Sequence, residues 1–140
     1  MRKNGENLFN QKGIFSEDDA KQLSSIALAF VGDAVYSLYV RQKLVESNDS
    51  KTGELNKISS EIVCAKAQSK RIIELMSILT EEEIAIFKRA RNAKKGAKAK
   101  NASVVEYNNS TGFEAVLGYL YLTGNSQRLE YILEYENNED

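Results

Sequence analysis

Residues 29 to 41 read AFVGDAVYSLYVR, an apolar run interrupted by Gly32 and the acid Asp33. Around it, Leu23, Ile26, Ala27, Phe30, Val31, Ala34 and Leu38 recur with the period of an α-helix and mark one face. Leu28, Gly32, Val35 and Tyr39 form a second stripe on the far side. A helix with two apolar faces belongs at the centre of its domain or at a subunit contact. At about 100° per residue, Asp33 falls at the border of the first stripe, beside Ile26 and Ser37. A charge held at the edge of a packed face needs a reason.

Working outward, the rest of the chain also reads as helices. Ser16 followed by Glu17, Asp18 and Asp19 predicts an N-cap with acids in the first turn. The first 15 residues are expected to be disordered or vector-derived, so the domain is placed at 16–136. Residues 45–53, VESNDSKTG, read as a turn. Leu55, Ile58, Ile62, Val63, Ala65, Ile72, Ile73, Met76 and Leu79 predict a helical stretch in one or two pieces. Thr80 and Glu83 have the capping-box spacing and open a helix through Ile84, Phe87 and Ala90. Residues 101–110 are expected to form an ordered loop, followed by a helix from about Thr111 through Tyr121. Gly124 and Asn125 break it, and Leu129, Ile132 and Leu133 mark a last helix. No repeat and no strand pair is visible, so the fold class is all-α. A chain of 140 residues suits one domain with its own core.

Absences narrow the chemistry. There is no Pro to interrupt a helix. There is no His, which removes Ser-His and Cys-His nucleophiles, HExxH zinc sites and histidine acid–base catalysis. Catalysis must then rest on carboxylates, lysines, tyrosines or a metal. The single cysteine, Cys64, cannot form an internal disulfide, which predicts a cytoplasmic protein. No apolar window approaches the ~18 residues of a membrane span, so no membrane partner is expected.

The net charge of −1 hides an asymmetry. Residues 88–100, KRARNAKKGAKAK, hold Lys88, Arg89, Arg91, Lys94, Lys95, Lys98 and Lys100 and no acid. Without these seven, 12 basic residues face 20 acidic ones, a net of −8. Such a run is either a solvated face or a site for a polyanion, and its concentration in an acidic chain favours the second. Glu114 sits at a stripe border as Asp33 does, with Gly118 one turn on. Gly32 and Gly118 would let two helices approach closely and bring the two carboxylates together across a notch. Two plainer readings stand beside this one. Thr111 and Glu114 have capping-box spacing, and Asp33 could pair with a cation such as Arg41.

These stretches resemble a known family. LAFVGDAVYSLYVR (28–41) is similar to the signature helix of ribonuclease III, and STGFEAVLGYLYL (110–122) to its second acidic helix. LNKISSEIVCAKAQSKRI (55–72) resembles the helix between them. The segment FKRARNAKKGAKAKNASVVEYNNSTGFEA is most similar to Mini-III ribonucleases, a small bacterial branch without a separate double-stranded-RNA-binding domain. The resemblance covers roughly residues 20–135. It implies a ribonuclease III-like helical fold and a homodimeric endonuclease that cuts double-stranded RNA with Mg2+ and matures the large-subunit (23S) ribosomal RNA precursor. It places Asp33 on the signature aspartate and Glu114 on the C-terminal catalytic glutamate, both as metal ligands. Full-length ribonuclease III has further acids at positions matching Ile26, Ala29 and Thr111; Mini-III members share the thinner set. The seven cations of 88–100 become the expected RNA-binding residues. The rival reading is a non-catalytic RNA-binding or ribosome-assembly scaffold, which has no need of an intact Asp33 and Glu114 pair.

Overall fold

The computed structural model describes residue 9 and residues 12–47, 52–95 and 103–136. Among them are seven helices and no strand: α1 (Glu17–Lys21), α2 (Ser25–Ser47), α3 (Thr52–Val63), α4 (Ala65–Leu75), α5 (Glu81–Asn92), α6 (Val104–Leu122) and α7 (Ser126–Glu134). The all-α expectation is met. The stretch 55–79 is two helices, parted at Cys64, where the backbone turns extended (φ −67°, ψ 158°). Ser16 and Thr80 cap α1 and α5 as their spacing predicts.

Helix α6 is the centre of the fold. Phe113, Ala115, Val116, Leu117 and Tyr119 are almost wholly buried, and α1, α2, α4, α5 and α7 all pack on it. Its partner α2 crosses it at the two glycines. A Cβ on Gly32 would overlap the Glu114 carbonyl oxygen, and one on Gly118 would overlap the Leu28 carbonyl oxygen. Backbone therefore meets backbone, with no side chain between the helices. Beside the crossing, Tyr36 meets Phe113 edge to face at 5.0 Å.

Three expectations are corrected. First, the core face of α2 is the second stripe: Leu28, Gly32, Val35 and Tyr39 are buried, while Ile26, Phe30, Ala34 and Leu38 are exposed. Second, α6 starts at Val104, not at Thr111. Ser103 Oγ accepts from Glu106 N at 3.0 Å, and Glu106 Oε1 accepts from Ser103 N at 3.1 Å. Val104, Val105, Asn108 and Asn109 are weak helix formers, which this capping box and the packing of the helix override. Thr111 lies mid-helix and donates its hydroxyl to the Tyr107 carbonyl at 3.0 Å, so it caps nothing. Third, order begins before residue 16. Ile14 N and Phe15 N both donate to the Leu122 carbonyl at the end of α6 (2.9 and 3.0 Å), and Phe9 is buried with its ring 5.8 Å from that of Tyr121. The last carbonyls of a helix lack intrahelical partners, and this strap supplies donors for that of Leu122.

Candidate active site

Asp33 and Glu114 come together at the glycine crossing. Gly32 fixes the backbone contact of α2 with the Glu114 peptide, and Asp33 is the next residue along α2. Asp33 is exposed and Glu114 half-buried. Burial, then the Asp33 charge, push the Glu114 carboxyl up to about 8, and a hydrogen bond shared with Asp33 acts in the same direction. Two carboxyls this close hold a proton or a cation between them more readily than two bare charges.

The third member of the notch comes from α4. The Gln68 side-chain amide donates to Glu114 Oε2 at 3.3 Å and to the Val63 carbonyl at 2.8 Å. Its bond to the carboxylate opposes the upward shift of Glu114. Nothing in the motif reading singles out Gln68, yet a signal existed. It stands four and seven residues before Ile72 and Leu75 and is buried with them on one face of α4. It is a polar residue at a core register, the same anomaly that marks Asp33.

The donors suit a hard cation. The Asp33 and Glu114 pair offers carboxylate oxygen, without sulfur or imidazole, and Mg2+ prefers oxygen while keeping several waters. No group of three or more acids, cysteines or histidines gathers among the described residues, so the protein part of such a site is the Asp33 and Glu114 pair.

The Ribonuclease III domain family matches residues 26–125, which span both acidic helices and everything between. The chain belongs to the ribonuclease III family. Its Mini-III character is equally plain. It is 45% identical over 121 residues to the Mini-ribonuclease 3 of Clostridium tetani, covering 86% of this chain and 80% of that protein. It is 48% identical over 120 residues to that of Streptococcus pneumoniae, covering 84% and 93%. A crystal structure of a Fusobacterium nucleatum protein superimposes with a TM-score of 0.75 at 32% identity, over 82% of this chain and 92% of that one. This ribonuclease III protein is an endoribonuclease with a ribonuclease III-like fold.

Within it, the basic segment divides. Arg89 donates through Nη1 to the Lys21 carbonyl (2.8 Å), through Nη2 to the Leu23 carbonyl (2.9 Å) and through Nε to Ser25 Oγ (3.0 Å). Lys95 donates to the carbonyls of Ala90, Arg91 and Ala93 at 2.8 to 3.0 Å, and burial lowers its pKa. Both side chains satisfy orphan carbonyls at helix ends, which explains their cations without RNA. Arg91 lies 5.4 Å over the Phe87 ring. Lys88 and Lys94 are exposed. Lys98 and Lys100 lie outside the described residues.

Proposed function

We propose that this ribonuclease III protein cleaves double-stranded RNA with Mg2+, as a homodimer in the cytoplasm. The observation that carries the reading is the side-by-side placement of Asp33 and Glu114 at a crossing where backbone meets backbone. The two carboxylates would hold Mg2+, which when bound supplies an activated water and neutralises charge on the phosphate. Asp33, on the exposed side, faces the incoming backbone. Glu114 is set behind it by α6, and Gln68 donates to its Oε2. The large-subunit ribosomal RNA precursor is the substrate that the resemblance to Mini-III enzymes implies. A scaffold gives no reason for keeping two mutually repelling acids. The direct test is incubation with long double-stranded RNA. Cleavage is expected in Mg2+ and none in EDTA; undiminished cutting in EDTA overturns the reading.

The homodimer rests on the exposed stripe of α2. Ile26, Phe30, Ala34 and Leu38 follow one another at intervals of four, and Phe30 is 80% exposed. Contiguous exposed apolar surface of this kind marks an interface. Phe30, Ala34 and Leu38 line one groove with Asp33, Val31 and Tyr121, so a two-fold partner on this stripe would border the carboxylates and supply a second site for the other strand. Sedimentation should give about twice the 15.7 kDa chain mass, and Phe30→Asp should give a folded monomer. A wild-type monomer at micromolar concentration contradicts the assignment.

RNA binding by the basic segment is the third element. A-form RNA is recognised largely through its phosphates and 2′-hydroxyls, which suits exposed lysines. Lys88→Ala with Lys94→Ala should weaken RNA binding and flatten its salt dependence, by roughly 0.9 log units for every phosphate left without its lysine, on the B-DNA scale. Melting should be unchanged. Arg89→Ala should instead lower the melting temperature, because three backbone and hydroxyl acceptors lose their donor. Superimposable salt slopes for the wild type and the double lysine variant would place the RNA elsewhere.

A further inference from the structure

Gln68 is only 2% exposed and ranks among the most completely buried large side chains of the protein. Its Nε2 holds two acceptors, the Val63 carbonyl at 2.8 Å and Glu114 Oε2 at 3.3 Å. Its Oε1 is buried and has no hydrogen-bond partner among the described protein groups. Burying an amide with an unmatched oxygen is costly, and Leu or Met would fill the same space without that cost. Packing alone therefore does not account for an amide here.

What the amide does is join three elements at the notch. Val63 is the last residue of α3, Gln68 lies in the first turns of α4, and Glu114 is on α6. Cys64, the N-cap of α4, makes no side-chain capping bond. The Gln68 bond to Val63 thus ties down the α3–α4 joint while its other hydrogen reaches the carboxylate. With both hydrogens committed, the amide holds Glu114 through Oε2.

We infer that Gln68 is a positioning residue for Glu114, holding its carboxylate in the orientation that binds the cation. This rests on the Asp33 and Glu114 cation site proposed above and extends it to a residue outside the acidic pair. Residues that orient a metal ligand cost about 10–100-fold in metal affinity or activity when removed.

The test is the affinity of the RNA-free protein for Mn2+, read by electron paramagnetic resonance of the free ion, together with thermal melting. Gln68→Met keeps the volume and removes the donor; Gln68→Asn keeps an amide and shortens its reach by one methylene. Both variants should bind Mn2+ about 10–100-fold more weakly than the wild type, and the Met variant should melt within a few degrees of it. Glu114→Gln is the reference for loss of the site. If the wild type binds and either variant matches it within twofold, the positioning role is overturned while the carboxylate site stands. If the wild type binds no better than Glu114→Gln, the cation site itself is overturned and this inference with it. Should Gln68→Met fail to fold, the Asn variant alone decides by the same twofold limit.

Discussion

Gly32→Ala is expected to lower the melting temperature by on the order of 10 °C, from a loss of ~3 kcal/mol or more. The added methyl group would overlap the Glu114 carbonyl oxygen and crowd the Glu114 carbonyl carbon and the Gly118 amide nitrogen. These are backbone atoms in the middle of the buried helix α6, so no rotamer change relieves the overlap. The helices must separate, which also displaces Glu114 from Asp33. Cleavage should therefore fall along with stability, even well below the melting point. Gly53→Ala is the control. Nothing lies within 4 Å of its added Cβ, and in the first turn of α3 alanine should be neutral or stabilise by ~0.5–1 kcal/mol. Equal melting of Gly32→Ala and the wild type would mean that the close crossing is not what holds these helices.

Asp33→Asn and Glu114→Gln should each lose more than ~100-fold in cleavage rate, beyond what loss of an orienting neighbour costs. Both should remain folded and retain RNA binding. The Glu114 variant carries a second signature. Its carboxyl is raised from 4.5 to about 8 by burial and by Asp33. Between those values the folded protein keeps a proton that the unfolded chain has released. The stability this group contributes is fully present below 4.5 and lost as pH rises through 8. Glu114→Gln removes that titration. Without added metal it should melt above the wild type at pH 8, and the gap should close on acidification. An inactive variant that is also less stable at pH 8 would show that Glu114 serves the fold rather than the site.

Much of this was legible from residues alone, for identifiable reasons. Gly32, Asp33, Glu114 and Gly118 were readable because each breaks an apolar helical pattern, and such breaks occur where function or close packing demands them. The capping box at Thr80 and, in outline, the turn at Gly124 were readable because they are local. The correct core face of α2 was not. Both faces are apolar, and periodicity does not say which one meets α6; the glycine in the second stripe was the discriminating residue, since only there can another helix approach so closely. The first two turns of α6 were hidden by residues with poor helix propensity, although Ser103 and Glu106 carry the cap. The roles of Arg89 and Lys95 were hidden too. A charge count sees a basic run, but which cations reach helix-end carbonyls depends on where α1 ends in space.

The central place of α6 also bears on when the protein can exist. On a ribosome the chain emerges from its N-terminus, and α2 is complete some 60 residues before α6 begins, by the helix bounds. Until residue 122 has appeared, α2 has apolar surface on both faces and no backbone to rest against. Closing so long a loop is entropically unfavourable until the contacts that reward it are available. Folding is therefore deferred until α6 has been made, and Asp33 waits throughout for its partner acid. A chain that stops short of α6 has half of the proposed site and none of its architecture. On the proposed site, the nuclease is thereby inert until α6 has been translated.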